Sequence, residues 1–303
     1  MSNNHLIIDG HALAFRSHFA FVDLMTSTGL YSGALYGFLT SLATLKKKYR
    51  DFKVTVAWDN ACDRKKTIYA EYKANRSSYN LSTQVNDLKA TLRCLDVLQA
   101  ECQGEEADDV IATLVAHYKT EGKIYIYSSD KDLFQLVEDG KVIILSSAKS
   151  QNTEFYDEEG VYNKFGVKPV DIACYFALRG DTIDGVPGLP RVKSSTICRL
   201  IEKYRTIPAI YDNLPNEKLT DFERKTFAEF VGQAKINYQL TQLVPTLMLL
   251  EYPGSNDPQR LQICLDKYEI KKIRSDLYVT LFGSESQFKA RTGPVYEMTS
   301  LFD

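Results

Sequence analysis

Apolar residues recur along this chain with two periods. Short unbroken runs come first: Leu6-Ile7-Ile8, closing on Asp9; Val54-Thr55-Val56-Ala57-Trp58, closing on Asp59; then Ile124 to Tyr127 and Val142 to Leu145. Between them lie longer stretches with apolar positions three and four residues apart. Gly33 to Tyr49 carries Leu35, Phe38, Leu39, Leu42 and Leu45. Leu81 to Leu98 carries Val85, Leu88, Leu92, Leu95 and Leu98. Ala107 to Tyr118 carries Ala107, Val110, Ile111, Leu114, Val115 and Tyr118. The runs predict buried strands and the stripes predict helices. Strands separated by helices predict an α/β fold, a mostly parallel sheet with helices on both faces. From about Pro169 the pattern turns helical, with stripes over Ser194 to Tyr204, Asp221 to Ala234 and Leu261 to Tyr268. The stretch Asp184-Gly185-Val186-Pro187-Gly188-Leu189-Pro190 interrupts it, and a soft boundary is expected near residue 165. Periodicity fades from Gly283 until Ser300-Leu301-Phe302.

The ends of the runs carry the first chemical signal. Asp9 and Asp59 close two of them, and Ser128-Ser129-Asp130-Lys131-Asp132 follows a third. In open α/β sheets ligands bind beyond the carboxyl ends of the strands. Three such strands would gather their carboxylates at one edge, where they resist ionising unless a cation neutralises them. Gly104-Glu105-Glu106-Ala107-Asp108-Asp109 adds four acids at a helix start. Acids there stabilise the helix dipole by about 0.3–1 kcal/mol each, so alone this motif is balanced between capping and metal binding. Beside three strand-end aspartates, metal binding leads. Gly180-Asp181-Thr182-Ile183-Asp184-Gly185 alone reads as an Asp/Gly turn.

Composition narrows the field little: 303 residues, 44% hydrophobic and 25% charged, describe an ordinary globular chain. The net charge of −2 offers no global basic field, so basic tracts must be read locally. Between residues 60 and 80, Arg64, Lys65, Lys66, Lys73 and Arg76 are interleaved with Tyr69, Tyr72 and Tyr79. Cations neutralise phosphates and aromatic rings stack on unpaired bases; a solvated helix face is the plainer reading of such a cluster. Lys46-Lys47-Lys48 with Arg50 reads as a solvated helix end. The turn from Val186 to Ser195 could present backbone N–H groups to phosphate, or simply join two helices.

Six cysteines without a C-x-x-C pair, and four histidines not spaced to join them, argue for reduced thiols and against a zinc site. No secretory signal and no membrane-length apolar run is present, so a cytoplasmic protein is expected. Phosphate-binding and dinucleotide glycine motifs are absent, as are nucleophile-elbow and Cys/His signatures.

Five elements in order carry a resemblance: Ile8-Asp9-Gly10-His11-Ala12-Leu13-Ala14-Phe15-Arg16, Asp59, Glu106-Ala107-Asp108-Asp109, Ser129-Asp130-Lys131-Asp132-Leu133 and Gly180-Asp181-x-x-Asp184. From about residue 5 to 250 the chain resembles the bacterial and bacteriophage 5′-nucleases, the flap endonuclease/5′→3′ exonuclease family also found as the N-terminal domain of bacterial DNA polymerase I. The resemblance implies a PIN-like (resolvase-like) catalytic domain over residues 1–165 with a helical arch at about 60–86. It implies a helix–three-turn–helix DNA-binding region over 166–255, and a helical extension and tail over 256–303.

The resemblance also assigns roles. Two divalent cations, magnesium with manganese as the alternative, would be held by Asp9, Asp59, Glu106, Asp108, Asp109, Asp130, Asp132, Asp181 and Asp184. Glu106, Asp108, Asp109 and Asp9 would serve chiefly the first; Asp130, Asp132, Asp181 and Asp184 would complete the second. Glu105 falls outside the pattern and is left as a helix-start residue. Tyr69-x-x-Tyr72-Lys73-x-x-Arg76 resembles the arch that passes a single-stranded 5′ end, with Lys73 and Arg76 at the scissile phosphate. Lys73, Arg76, Asp9 and Asp130 are thus the expected catalytic residues. Arg16, Arg64, Lys65, Lys66, Tyr72, Lys73, Arg76, Arg191 and Lys193 are the expected DNA contacts. One departure stands out: the family's Gly-x-Gly hairpin is replaced by Arg191 and Lys193. That puts a potassium site there in question and suggests direct phosphate contacts instead.

The implied activity is two-metal hydrolysis of DNA phosphodiesters at 5′ flaps and 5′ ends, in replication and repair, leaving 5′-phosphate and 3′-hydroxyl products. Expected partners are flap or 5′-ended DNA and RNA/DNA hybrids, for a monomer. Met298-Thr299-Ser300-Leu301-Phe302 is compatible with sliding-clamp docking, although a disordered terminus explains it better. The competing readings are an RNase on a related acidic sheet and a protein that holds flaps without cutting.

Overall fold

The computed structural model describes residues 3–74, 81–147 and 153–270. In chain order the elements are β1 (His5–Asp9), α1 (Gly10–Ala20), α2 (Gly33–Lys48), β2 (Lys53–Ala57), α3 (Asp63–Ile68), α4 (Ser82–Leu92), β3 (Leu98–Glu101), α5 (Ala107–Tyr118), β4 (Ile124–Tyr127), β5 (Val142–Ser147), β6 (Thr153–Tyr156), α6 (Glu158–Phe165), α7 (Ile172–Arg179), α8 (Ser194–Tyr204), α9 (Ile207–Asn213), α10 (Asp221–Thr241), β7 (Leu250–Tyr252) and α11 (Pro258–Lys267). The strands form one sheet in the order β6-β5-β4-β1-β2-β3-β7. The five inner strands are parallel and both edge strands run antiparallel.

The buried strands separate two apolar layers. Leu6, Ile8, Val54 and Val56 pack under α1, α2, α4 and α11. Ile7, Ile124, Ile126 and Ile144 face the opposite way, toward α5, α7, α8 and α10. Side chains alternate between faces along a strand, so an unbroken apolar run serves a sheet covered on both sides. The second core joins the sheet directly to helices from beyond residue 165, and β7 reaches back to pair with β3.

Two spans differ from the periodic reading. The stripe over Leu81 to Leu98 is not one helix. α4 stops at Leu92, two turns close at Cys94 and Leu95, and Leu98 opens β3 against β2. Leu92, Leu95 and Val97 stay buried across the break, so burial preserved the pattern while the backbone changed. α10 runs on to Thr241 rather than ending near Ala234. Its extra turns are anchored by Asn237, fully buried, whose amide donates to the carbonyls of Ala177 and Pro187 at 2.8 and 2.6 Å.

The turn after α7 needs two glycines. Gly180 has φ 76°. A Cβ on Gly188 would lie 2.0 Å from the Arg179 carbonyl oxygen, an approach only glycine permits. Among the described residues no helix is long and apolar enough to cross a membrane. The tail from 271 to 303, with the clamp-like segment, and Arg76 and Tyr79 of the expected arch lie outside the described residues.

Candidate active site

Parallel order alone brings the strand-end acids together. β1 is central, with β4 and β2 as its neighbours, so Asp9, Asp59 and Asp130 leave three adjacent strands on one edge. Each is braced locally. Asp9 caps α1, accepting from the Ala12 N–H at 3.0 Å, and accepts from the Ser128 hydroxyl at 2.8 Å. The same Ser128 oxygen accepts the Asp130 N–H at 3.0 Å. Asp130 in turn accepts the Asp132 N–H at 2.9 Å. Asp59 accepts the Ala107 N–H at 2.7 Å, tying β2 to the start of α5.

Asp108, Asp130 and Asp132 each present a carboxylate oxygen within 4.8 Å of the others. Burial, then mutual repulsion, raises the pKa of Asp108 and Asp132 well above the ordinary carboxylate value; Asp130 is raised too. Asp9 is pushed up to about 7, first by burial and then by Asp59. Four acids that resist ionising, three of them buried and Asp130 partly so, form a donor set suited to hard divalent cations.

The remaining acids already have partners. Glu106 meets the ammonium groups of Lys65 at 2.8 Å and of Lys73, and accepts from the Tyr72 hydroxyl at 3.0 Å. Burial would raise Glu106, but Lys65 and then Lys73 outweigh it and hold it at about 2. Asp109, fully buried, accepts from Arg64 at 2.7 Å and from the Val244 N–H at 2.8 Å. Asp181 pairs with Lys131 at 2.7 Å, and Asp184 lies 3.8 Å from Lys73. The Asp181–Val186 bridge and the Ile183 N–H donated to Asp181 make the Gly180–Gly185 stretch a tight turn. Turn and acid presentation are therefore one feature.

The expected DNA contacts divide by exposure. Lys66, Arg191 and Lys193 are exposed and Arg16 is partly exposed, with its guanidinium on the Tyr127 hydroxyl at 2.7 Å. Arg191 keeps φ 58°, so the left-handed backbone that glycine favours is retained under a basic side chain. Lys65 and Tyr72 depart from expectation. They are 1% and 2% exposed and turn inward to Glu106, because the Asp63 N–H donated to the Gly104 carbonyl holds the start of α3 beside the acids that open α5, and those acids draw both groups in. Arg64 likewise pairs with Glu105 and Asp109. Lys73 holds its backbone N–H on the Asp184 carbonyl at 2.9 Å, docking the end of the described 60–74 tract beside the acidic turn.

Sequence reading missed three supports. Ser128 stands in the quoted motif, but only the fold shows it linking Asp9 and Asp130. Lys131 appears between two aspartates with no hint that it pairs with Asp181. His11 accepts the Asp59 N–H at 3.0 Å through Nδ1, and burial lowers its pKa. Concavity would not have found the site either. Grooves of about 720 and 370 Å³ are lined by residues such as Lys46, Arg50 and Tyr118, or Val115, Gln135 and Val170, and include none of these carboxylates.

The chain is similar to known nucleases in sequence and in fold. The family model described as 5′–3′ exonuclease, N-terminal resolvase-like domain, matches residues 4–166. A 5′–3′ exonuclease of Aquifex aeolicus is 38% identical over 245 residues, 80% of this chain and 82% of that protein. A 5′–3′ exonuclease of Buchnera aphidicola is 31% identical over 88% of this chain and 93% of its own. DNA polymerase I of Caldicellulosiruptor bescii is 33% identical over 80% of this chain, which spans only 29% of that larger protein. Among solved structures, T5 5′-exonuclease with bound zinc superimposes with a TM-score of 0.65 at 17% identity, over 95% of this chain and 96% of that one. The catalytic core of Rad2 in complex with DNA gives 0.62 at 14% identity, over 93% and 92%.

Proposed function

The chain belongs to the 5′–3′ exonuclease family and is a nuclease, and on that premise we propose that it is a structure-specific 5′-nuclease cutting DNA at 5′ flaps and 5′ ends with two magnesium ions. One observation carries the reading. Asp9, Asp108 and Asp132 are buried and Asp130 partly buried, close to the sheet edge, and all four are raised in pKa by burial and repulsion. Such a set is stable in ionised form only around cations. Divalent ions bound there supply Lewis acidity, polarising a phosphoryl oxygen, easing deprotonation of water and stabilising the leaving oxygen.

The chain's own residues do the rest. Ser128 and the backbone around Asp130 fix the carboxylates before substrate arrives, so little reorganisation remains during reaction. Lys73, 13% exposed at the edge of the cluster, can bring positive charge to a phosphate as negative charge develops. Asp59, Glu106, Asp109, Asp181 and Asp184 complete the acidic lining around that set, most of them held by cationic partners of their own. Exposed Lys66, Arg191 and Lys193 would neutralise duplex and flap phosphates, contacts that position without reading sequence. DNA bound to T5 and Rad2 relatives of the same fold agrees with this. RNA/DNA hybrids fit the same backbone contacts.

The test is a 5′-labelled flap incubated with magnesium or with chelator, for the wild type and for Asp130→Asn. Magnesium-dependent cutting near the junction by the wild type is expected, with binding but no cleavage by the variant. Wild-type binding without cleavage under magnesium or manganese would overturn the proposal, as would a normal rate in Asp130→Asn.

A further inference from the structure

The nine expected metal carboxylates fall into groups by the company they keep. Glu106, Asp109, Asp181 and Asp184 each have an ammonium or guanidinium group within 4 Å, from Lys65, Lys73, Arg64 and Lys131. Asp59 faces His11 and is 43% exposed on its side chain. Asp9, Asp108, Asp130 and Asp132 have no such lysine or arginine partner among the described residues. The paired and unpaired acids come from the same short motifs, Glu106 beside Asp108 and Asp130 beside Lys131, so sequence does not separate them.

Lys65 is the extreme member of the cationic set. It is 1% exposed, with Nζ 2.8 Å from Glu106 and 3.7 Å from Asp109, and 5.6 Å from the Tyr72 ring centre. A phosphate cannot reach it without displacing Lys65 from its buried pair with Glu106. Exposed Lys66, next in sequence, is the opposite case. A buried charge persists only when paired, and removing one partner of such a pair leaves the other uncompensated.

We propose that Lys65 is a positioning residue: an internal counter-ion that holds Glu106 against α3 and keeps Glu106 and Asp109 from drawing divalent cations away from the neighbouring cluster of Asp9, Asp108, Asp130 and Asp132. This rests on the nuclease reading above. Because Lys65 is built in, the first turn of α5 carries acids without becoming a cation trap. Its charge also opposes cations at the neighbouring cluster, which keeps their binding weak enough to adjust when substrate arrives.

The experiment compares wild type, Lys65→Met, Lys65→Arg and Lys66→Ala. Magnesium binding is measured by calorimetry without DNA, flap binding in chelator as a function of salt, and kcat and KM separately. Lys65→Met should bind magnesium at least about tenfold more tightly, since one positive charge is removed a few ångströms from a divalent ion. Its kcat should fall with KM little changed, and its salt slope for DNA should match wild type. Lys65→Arg should return magnesium affinity toward wild type. A salt slope reduced by about 0.9 in Lys65→Met would make Lys65 a phosphate contact and overturn the proposal. Unchanged magnesium affinity would do the same, leaving Lys65 a packing residue. If Lys65→Met does not fold, the double variant Lys65→Met with Glu106→Gln removes both charges of the pair. Magnesium affinity near wild type is then expected, and a tenfold loss overturns the proposal. A wild type that neither binds magnesium nor cleaves refutes the nuclease reading itself, whereas a cleaving wild type beside an unaltered Lys65→Met refutes only the role of Lys65.

Discussion

Asp9→Asn should make the cation-free protein more stable while destroying its function. Asp9 is 5% exposed, and burial, then Asp59, lifts its pKa from 3.8 to about 7. The native state therefore holds this proton up to about pH 7, whereas the unfolded chain releases it near 4. Stability from this group is fully present below about pH 4 and is lost as pH rises through 7. The loss amounts to roughly three pK steps of about 1.36 kcal/mol, or about 4 kcal/mol above pH 7. Asparagine carries no such charge, and its side-chain oxygen still caps α1 as aspartate does. In chelator at pH 8 the variant should exceed wild type by up to about 4 kcal/mol, the gap shrinking through pH 7 and vanishing near 4. Urea unfolding across that range measures it. Saturating magnesium should then restore wild type selectively, by about 2.7 kcal/mol at a hundredfold excess over Kd. A gap equal at pH 5 and pH 8, or a less stable variant at pH 8, would refute the reasoning.

Ser128→Ala removes one donor to Asp9 and the acceptor for the Asp130 N–H; a loss of about 1.5–3 kcal/mol at pH 8 should accompany slower flap cleavage at fixed magnesium, read from urea melts and initial rates. Asn237→Ala strands the buried carbonyls of Ala177 and Pro187, and should cost about 2 kcal/mol or more in urea unfolding. Arg191→Gly relieves a left-handed residue by about 1 kcal/mol while loosening the unfolded chain by about 0.4–1 kcal/mol. Net stability should thus move little, whereas the salt slope of DNA binding should fall by about 0.9 if the guanidinium meets a phosphate.

The fold class and the identity of the acids were legible in the chain because both are local patterns. Unbroken apolar runs mark strands covered on both faces, helical stripes mark their covers, and an aspartate at the end of a run lands on the sheet edge in any parallel order. Where burial could be satisfied by two backbones, as over Leu92 to Leu98, the pattern was ambiguous, and only pairing with β2 made Leu98 a strand residue. Edge strand β7 was invisible because three half-exposed residues carry no periodic signal; its place depends on β3 being available. The charges show the same limit most sharply. Composition counts Lys65 and Lys66 alike, yet one is sealed against Glu106 and the other faces water. Which carboxylates keep a cation of their own and which stand unpaired depends on distances between segments far apart in sequence. Local sequence thus determined the acids and the sheet that gathers them. Tertiary packing decided their partners, because electrostatic pairing depends on separation and burial in space.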